Sequence, residues 1–271
     1  MSVTLKENVY GLTGTGKKVR IGHVTEVEAD LFPVGGKIFY IDETSDRVVE
    51  FYDQYGDLIE NVSVGDSPYA YKVVSEGSSG KDKYYVYWDE MFTSKRWTYY
   101  ENGSYVYNSL GTQDGIGKGK GNTAIVMAAD SGKYITNDSN GVATLWYTLK
   151  QMRDNKYGGC DDWFVPSKAE IEELRKAIGF QVVTTSDDPV ILSAGAVTGG
   201  VIAGTADGQA HYRDYSTTRT CYPSATKFLD NYIWASSEYS AQRAWLWDYG
   251  SQGWNYGNKD NSLSFFAVRA F

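Results

Sequence analysis

The feature that most constrains the fold is the combination of many aromatic residues and glycines with few prolines. The 271 residues include 23 Tyr, 8 Trp and 29 Gly but only 5 Pro. Tyrosine and tryptophan favour strands, and glycine supplies the positive φ angles of tight turns. The mixture therefore predicts a chain of strands and turns rather than a bundle of helices.

Candidate strands are spread along the first part of the chain. They include KKVRIGHVTEVE, then PVGGKIFYIDE, in which a Gly-Gly pair leads into an apolar strand. A third segment, RVVEFYDQYGDLIENV, indicates a hairpin through Tyr55-Gly56. The strongest hairpin signal is Asn102-Gly103, because these residues tolerate the positive φ of a type I′ turn. We predict a short N-terminal segment over 1–32 and one domain over 33–271, with a tyrosine-rich β insertion at about 43–110.

Two helices are predicted after a glycine-rich connector at 111–121. The first, over 144–155, has an apolar face at helical spacing, formed by Leu145, Leu149 and Met152. The second, over 166–179, begins with a capping box of Ser167 and Glu170. Residues 186–226 are rich in Gly, Ala, Ser and Thr and predict loops with short strands. The fold class predicted from these segments is α+β.

Charge and composition exclude several classes of function. The net charge is −8 with no long basic run, so no nucleic acid is predicted as a partner. The first residues lack the basic start and apolar core of a signal peptide, and no segment has the length of a membrane helix. We expect a protein made in the cytoplasm without a signal peptide, and no membrane insertion.

Tests for catalytic and nucleotide-binding motifs are negative. GLTGTGKK matches a phosphate loop, but Lys18 stands where Ser or Thr must hold magnesium, and a strand pattern follows. The two histidines, His23 and His211, lie near no nucleophile motif. The sequence therefore predicts no enzyme and no catalytic residue.

Metal and thiol chemistry is not predicted either. NDSNG at 137–141 lacks the ligand spacing of an EF-hand, and Cys160 and Cys221 form no zinc pattern. Two buried, reduced thiols are the favoured reading, with a single disulfide as the alternative. No cofactor is predicted.

Carboxylates are plentiful, and a glycoside hydrolase needs two that converge across a sugar, which sequence spacing does not reveal. They are interpreted as surface acids and helix-start charges, and they are Asp161, Asp162, Asp187, Asp188, Glu170, Glu172, Glu173 and Glu238.

The stretch AWLWDYGSQGWNYGNKDNSLS at 244–264 crowds large rings among small polar residues. Tyr and Trp give rigid contact area, and Ser, Gly and Asn give adaptable hydrogen bonds, as in binding surfaces. The alternative is that Trp245 and Tyr249 face a core at a two-residue period, in which case Leu246 and Asp248 point outward. Patterning favours an exposed ligand face.

Three segments resemble a known fold. GGKIFYID, DDWFVPSKAEIEEL and the region from IWASSEYSAQRAWLWDYG to FFAVRAF occur in this order in a bacterial and phage branch of the C-type lectin fold. More narrowly, the chain is similar to the variable proteins of diversity-generating retroelements, which often close with VRAF. The resemblance covers residues 33–271 apart from the β insertion.

The resemblance implies a constant frame and a variable ligand face. The frame matches Trp234, Glu238, Ala244, Trp245 and Val268–Phe271. The variable face falls on Tyr239, Arg243, Leu246, Trp247, Asp248, Ser251, Gln252, Trp254, Asn255, Tyr256, Asn258, Asp260, Asn261, Ser262, Leu263 and Ser264. Among these and their neighbours, four residues cannot arise from a randomised Asn codon and are fixed or come from another codon: Trp247, Gln252, Trp254 and Lys259.

The function implied is a non-enzymatic protein that binds a protein or glycan ligand on a host or neighbouring cell surface, in a phage tail or at the bacterial surface. Assembly into oligomers is compatible with this reading. Formylglycine-generating activity and calcium-dependent sugar binding are not implied, because the required cysteine pair and the Glu-Pro-Asn triplet are absent. The alternatives are a structural virion or cell-surface protein with a fixed face, and a glycan hydrolase using carboxylates near 161–173 and 238.

Overall fold

The computed structural model describes residues 2–12, 18–88, 91–136, 143–177, 181–183, 190–192, 195–197, 211–215, 218–222, 232–248 and 253–271. The helices are α1 (Gly119–Ala128), α2 (Leu145–Asp154) and α3 (Lys168–Ala177), with short 3₁₀ segments at Ala129–Ile135 and Tyr157–Gly159. The strands are β1 (Ser2–Leu12), β2 (Lys18–Leu31), β3 (Gly36–Ile41), β4 (Val48–Tyr52), β5 (Ala70–Ser75), β6 (Tyr84–Trp88), β7 (Phe92–Lys95), β8 (Tyr100–Glu101), β9 (Ser104–Tyr105), β10 (Gln181–Val183), β11 (Val190–Leu192), β12 (Gly195–Val197), β13 (His211–Tyr215), β14 (Thr218–Tyr222), β15 (Tyr232–Glu238), β16 (Arg243–Asp248), β17 (Gly253–Asn258), β18 (Leu263–Phe265) and β19 (Val268–Ala270). These elements confirm the predicted α+β class.

The chain contacts divide it into two compact units. The first combines Met1–Asp89, Met152–Asp162 and Arg269–Phe271, and the second combines Glu90–Gln151 and Trp163–Val268. The division splits the segment 43–110, which we predicted as one β insertion, between the two units. The predicted boundary at residue 33 stays a prediction.

The first unit contains the sheets β1-β2-β5-β4 and β19-β6-β3. Its core joins buried residues from distant parts of the chain, namely Phe32, Ile38, Phe51, Tyr71, Val86 and Phe271. The Gly-Gly entry into β3 has a steric reason, since a Cβ on Gly36 would lie 2.8 Å from a methyl carbon of Val86. The predicted strand in PVGGKIFYIDE is therefore confirmed, and its second glycine is a close-packing residue.

The hairpin predicted over 47–62 is only partly correct. Strand β4 finds its main antiparallel partner in β5, whereas the residues after the Tyr55-Gly56 turn make a single bridge, Tyr52 to Leu58. Strand β5 pairs with β4 along its whole length, from Val48 opposite Ser75 to Tyr52 opposite Ala70. The Asn102-Gly103 hairpin is confirmed between β8 and β9, with φ angles of 48° and 84°.

The second unit is built on a five-stranded sheet of order β17-β16-β15-β18-β7, in which β15 and β18 run parallel. Helices α1 and α3 both pack on β15. Four tryptophans are completely buried: Trp97, Trp146, Trp163 and Trp234. The indole N–H of Trp97 donates to the Ala235 carbonyl at 3.0 Å, and that of Trp146 donates to the Trp97 carbonyl at 2.7 Å. These bonds let large rings with a polar atom fill the core.

Both predicted helices are present. The apolar face of α2 is buried, and α3 begins with the predicted capping box, in which the backbone N–H of Ser167 donates to Glu170 and the Ser167 hydroxyl accepts from the N–H of Glu170. Helix α1 was not predicted, since it begins inside the glycine-rich connector. Its Gly119 is needed for close packing, because a Cβ there would lie 2.2 Å from the Glu170 carboxylate.

Several sequence features fall outside the described residues, namely 13–17 of the glycine-rich turn, NDSNG and the Asp187-Asp188 pair. His23 and His211 lie in β2 and β13, and Cys160 is buried with a free thiol. Within the part of the chain that the structure describes, no helix has both the length and the apolar composition needed to span a membrane.

Candidate functional site

The C-terminal aromatic residues lie on one face of an antiparallel strand pair. Strand β16 pairs with β17 in a register that sets Arg243 opposite Asn258, Trp245 opposite Tyr256, and Trp247 opposite Trp254. Residues directly opposite each other share a face of a sheet, and so do residues two apart. The register therefore gathers residues that sequence spacing alone leaves scattered.

Five rings form a continuous cluster on this face, the aromatic ladder, consisting of Tyr239, Trp245, Trp247, Trp254 and Tyr256. Tyr239 stacks on Tyr256 with ring centroids 4.1 Å apart, and it meets Trp245 edge to face at 5.0 Å. Trp254 lies edge to face against Trp247 at 5.3 Å. Such geometries stabilise aromatic pairs beyond their buried area.

Helix α3 covers one end of the aromatic ladder. Its residues Lys168, Glu172 and Arg175 lie on one helix face because they are four and three positions apart. The Lys168 ammonium lies 3.3 Å from the ring centroid of Trp245, and the Arg175 guanidinium lies 4.6 Å from that of Trp247. Both contacts are cation–π interactions, which fix the rings against the helix.

Glu172 links the helix to the ladder by a hydrogen bond. The indole N–H of Trp254 donates to the Glu172 carboxylate at 3.1 Å, and Arg175 pairs with the same carboxylate. Burial alone would raise the pKa of Glu172, but the hydrogen bonds and the positive charge of Arg175 outweigh it and lower that pKa. The carboxylate is therefore ionised at neutral pH and holds Trp254 in place.

The other end of the aromatic ladder is open. Tyr239 is 47% exposed and Tyr256 is 40% exposed. The exposed Arg243 has its guanidinium carbon 4.9 Å from the Tyr256 ring centroid. Asn255 and Asn258 are exposed on the adjoining β17, the edge strand among the described residues of the sheet. Two stacked tyrosines, an arginine and Asn258 thus share one accessible surface, while Asn255, opposite Leu246, lies on the other face of β17.

Four residues predicted for the face are buried instead: Leu246, Trp247, Asp248 and Ser264. The expectation that Leu246 and Asp248 point outward is wrong, because Leu246 packs on the opposite side of the sheet. A Cβ on Gly257 would lie 2.8 Å from Leu246 and 3.0 Å from Trp234, which places Leu246 against the core. Strand β16 has a neighbouring strand on either side and α3 on one face, so few of its side chains reach solvent.

The remaining predicted positions divide between exposed, half-buried and undescribed residues. Asn261 and Ser262 are exposed in the turn after β17, while Trp254, Asp260 and Leu263 are half-buried. Burial and a hydrogen-bonding contact with Asp260 raise the pKa of Tyr107 to about 12, burial being the larger influence. Ser251, Gln252 and the neighbouring Tyr249 lie outside the described residues.

Lys259 is a structural residue that the sequence pattern did not reveal. Its side chain is fully buried and pairs with the buried carboxylate of Glu238. Its Nζ also donates to the Asn108 carbonyl at 2.9 Å and lies 4.3 Å from the Trp97 ring centroid. Burial lowers the pKa of Lys259, while Glu238 opposes that shift. A lysine between Asn258 and Asp260 has the appearance of a surface turn, so local sequence carries no signal of this role.

Glu170 is also buried, contrary to the expectation of a surface acid. Its Oε1 accepts hydrogen bonds from the backbone N–H groups of Gly117 at 2.9 Å and Gly119 at 3.4 Å, and Oε2 accepts from Ser167 at 2.7 Å. Burial raises its pKa to about 7, although the hydrogen bonds oppose the shift. The expected helix-start role is correct, and the solvent exposure is not.

A groove of about 390 Å³ lies beside the aromatic ladder. The loop residues 114–116 line one wall, α3 lines the other through Lys168, Glu172 and Glu173, and Trp254 also contributes to the lining. Glu173 is paired with Lys176 at 2.7 Å. The groove and the exposed tyrosines give the second unit two adjacent surfaces for contact.

The described residues contain no group of three or more His, Cys, Asp or Glu side chains placed to hold a metal ion. Glu170 and Glu238, two of the carboxylates considered for hydrolysis, are each bound by several hydrogen-bond donors in the interior. Comparison of the chain with protein-family models, curated proteins and solved structures finds no match.

Proposed function

We propose that this protein is a non-enzymatic binding protein on a C-type lectin-like scaffold, with a diversified face at the open end of the aromatic ladder. The observation that carries the proposal is the exposed stack of Tyr239 on Tyr256 beside Arg243. Tyrosine and arginine are enriched among the residues that dominate binding energy. Exposed aromatic surface of this kind marks interaction sites. The ligand would be a protein or glycan on a cell surface, met from a phage tail or a bacterial envelope.

The way in which the rings are held in place supports a binding role. Lys168 and Arg175 already occupy the faces of Trp245 and Trp247, so the inner rings are a support for the two outer tyrosines. A side chain held in one position before binding loses little conformational entropy when the ligand arrives. The aromatic ladder is therefore suited to binding without rearrangement.

The arrangement of the scaffold motifs also supports the proposal. In the second unit Phe164, from the DDWFVPS motif, forms an antiparallel bridge with Val268 from the FFAVRAF motif. Helix α3, which follows the first motif, packs on β15, which contains Trp234 and Ser236. Two of the three motifs of the resemblance thus contribute to one core, while GGKIFYID forms β3 in the first unit.

Diversification would be tolerated at only part of the predicted face. Exposed residues accept substitution at little cost, whereas changes at buried positions create cavities or bury unpaired polar groups. The tolerant positions are Tyr239, Arg243, Asn255, Tyr256, Asn258, Asn261 and Ser262. Leu246, Trp247, Asp248, Lys259 and Ser264 would stay constant.

Sequencing the gene across a population of its source tests diversification. We expect substitutions in codons 239–264 to concentrate at the seven exposed positions and to spare the buried ones. The adenines of a nearby near-copy should mark the substituted bases. A uniform sequence would contradict diversification and leave a structural or adhesive domain with a fixed face.

A binding assay tests recognition independently. Intact bacterial cells from a host panel are incubated with labelled protein, and retention is measured by flow cytometry. The Tyr239→Ala/Tyr256→Ala double variant should reduce retention at least tenfold, since two aromatic anchors are lost. Tyr55→Ala is the control, because Tyr55 is exposed in the first unit. Retention that is equal for both variants and the parent protein would contradict the assigned face.

A further inference from the structure

The groove beside Trp254 has one wall that depends on the start of α3. This wall belongs to the groove loop, defined as residues 114–119. The backbone N–H of Ala169 donates to the Asp114 carbonyl at 2.8 Å, and the Ser167 hydroxyl donates to the Gly115 carbonyl at 2.8 Å. Two further bonds, from Gly117 and Gly119, end on Glu170 Oε1. Four hydrogen bonds therefore attach the groove loop to three residues at the start of α3, namely Ser167, Ala169 and Glu170.

Two glycines of the groove loop allow its backbone amides to approach the Glu170 carboxylate. Gly117 has a φ of 76°, which side chains with a Cβ rarely adopt. Gly119 faces Glu170 so closely that any Cβ would collide with its carboxylate. Because both amides approach one oxygen, the carboxylate is the shared anchor of the loop.

A proton on Glu170 changes what this anchor can accept. An ionised carboxylate only accepts hydrogen bonds, whereas a carboxylic acid has one O–H that donates and fewer positions that accept. Oε1 receives two amides of the loop, so a proton on Oε1 displaces one of them. A proton on Oε2 removes the negative charge that strengthens both bonds. A displaced buried amide is costly unless it moves toward water.

The environment of Glu170 brings this event into the neutral pH range. Its pKa is raised to about 7 because the side chain is completely buried. The groups that hold it by hydrogen bonds are uncharged. They are the amides of Gly117 and Gly119 from the loop and α1, and the amide and hydroxyl of Ser167 at the start of α3.

We propose that Glu170 is a proton-dependent latch, whose protonation releases the groove loop from α3 and changes the shape of the groove beside the aromatic ladder. The released amides of Gly117 and Gly119 turn toward water, and the wall formed by Asp114, Gly115 and Ile116 loosens. The latch goes beyond the proposed binding function, because it controls whether the groove loop is held against α3 and does not depend on which ligand is bound. The groove loop is therefore held in place above neutral pH and loosened below it.

The test is amide hydrogen exchange of the full chain, measured by NMR at pH 8 and pH 6 and corrected for intrinsic exchange rates. We expect the protection of Gly117 and Gly119 to fall about tenfold at pH 6, the loss of roughly one hydrogen bond. The midpoint of this change should match the titration of the Glu170 carboxyl carbon, followed in the same samples. Unchanged protection of both glycines while Glu170 titrates would overturn the proposal, as would a Glu170 that stays ionised below pH 5.5.

Glu170→Gln provides a permanently uncharged latch, and Glu173→Gln is the matched control on the same helix. The glutamine at 170 should give low protection of both glycines at either pH, while E173Q should retain the pH dependence of the parent protein. Persistent high protection in folded E170Q would overturn the latch. If E170Q does not fold, the matched titrations of the parent protein decide the question alone.

Discussion

Lys259 places a full positive charge in the interior of the second unit, where its charge is balanced by Glu238. Replacing one member of a buried pair leaves the other without its partner, which costs about 3 to 5 kcal/mol. We expect Lys259→Met to lower the free energy of unfolding in urea by this amount. Adding Glu238→Gln to K259M should restore part of it. Lys176→Met, which removes a partly exposed cation from α3, should change it little; equal losses for both single variants would contradict a buried role.

Glu170 should also govern how stability varies with pH. Its folded-state pKa of about 7 lies above the ordinary value of 4.5, so the folded protein binds the proton more tightly than the unfolded chain. The stabilising contribution is complete below pH 4.5 and is lost as pH rises through 7. At 1.36 kcal/mol per pKa unit the change is roughly 3 kcal/mol. Urea unfolding at pH 5.5 and 8 should show roughly 2 kcal/mol of this change in the parent protein, because the rest falls below pH 5.5 and near pH 8. An equal dependence on pH in the parent protein and in E170Q would refute the prediction.

At the scale of an element, the face of α3 is expected to stabilise the aromatic ladder. Lys168→Ala removes an ammonium whose nitrogen lies 3.3 Å from the ring centroid of Trp245 and 5.3 Å from that of Trp254. A cation–π contact contributes about 0.5 to 2 kcal/mol, depending on desolvation. The unfolding free energy of K168A should fall within that range. Lys176→Ala is the control, since it lies on the same helix away from these rings, and it should unfold as the parent protein does.

The loop at residues 77–80 in the first unit depends on a single carboxylate. The backbone and hydroxyl groups of Ser78 and Ser79 all donate to Asp46, which holds the pKa of that carboxyl well below its usual range, the Ser78 hydroxyl being the main influence. Because the folded-state pKa is lowered, the anchor persists at neutral pH and is lost only as pH falls far into the acid range. Asp46→Asn should accelerate amide exchange at Ser78 and Ser79 at pH 7. Asp53→Asn, which disturbs a different turn, should leave these two amides protected.

At the scale of the whole molecule, the first unit needs a residue from the far end of the sequence. Phe271 stacks on Tyr71 at 4.1 Å and meets Phe32 and Phe51 edge-on or tilted at 6.3 Å and 6.2 Å. Removing a buried phenylalanine ring costs about 3 to 5 kcal/mol. We expect Phe271→Ala to lower the unfolding free energy of this unit accordingly. Tyr55→Ala, on an exposed turn, should have no comparable effect, and a stable F271A protein would show that the core tolerates the cavity.

Local patterns predicted those parts of the molecule whose structure is decided by neighbours in sequence. The Asn102-Gly103 turn and the Ser167–Glu170 capping box are of this kind. Helix α1 escaped prediction because Gly119 reads as a helix breaker, although it is there to admit Glu170. The aromatic face was predicted as a region, but the burial of Leu246 and Lys259 was not. Lys259 is covered by Trp97 and Asn108, which are distant in sequence. Leu246 packs beside Trp234 and Gly257 of the neighbouring strands, and β16 shows little alternation since both of its faces are largely covered.

The assembly of the first unit from three separated stretches has a consequence for how the protein is made. Residues up to 89 leave the ribosome before the other two stretches of the unit, and their hydrophobic core stays incomplete until Arg269–Phe271 emerge. At translation rates of about 5 to 20 residues per second, the intervening 180 residues take roughly 10 to 40 s. During that interval Phe32, Phe51 and Tyr71 lack the ring that completes their packing. The nascent first unit is therefore a natural client for chaperones, and its final closure can follow the synthesis of the second.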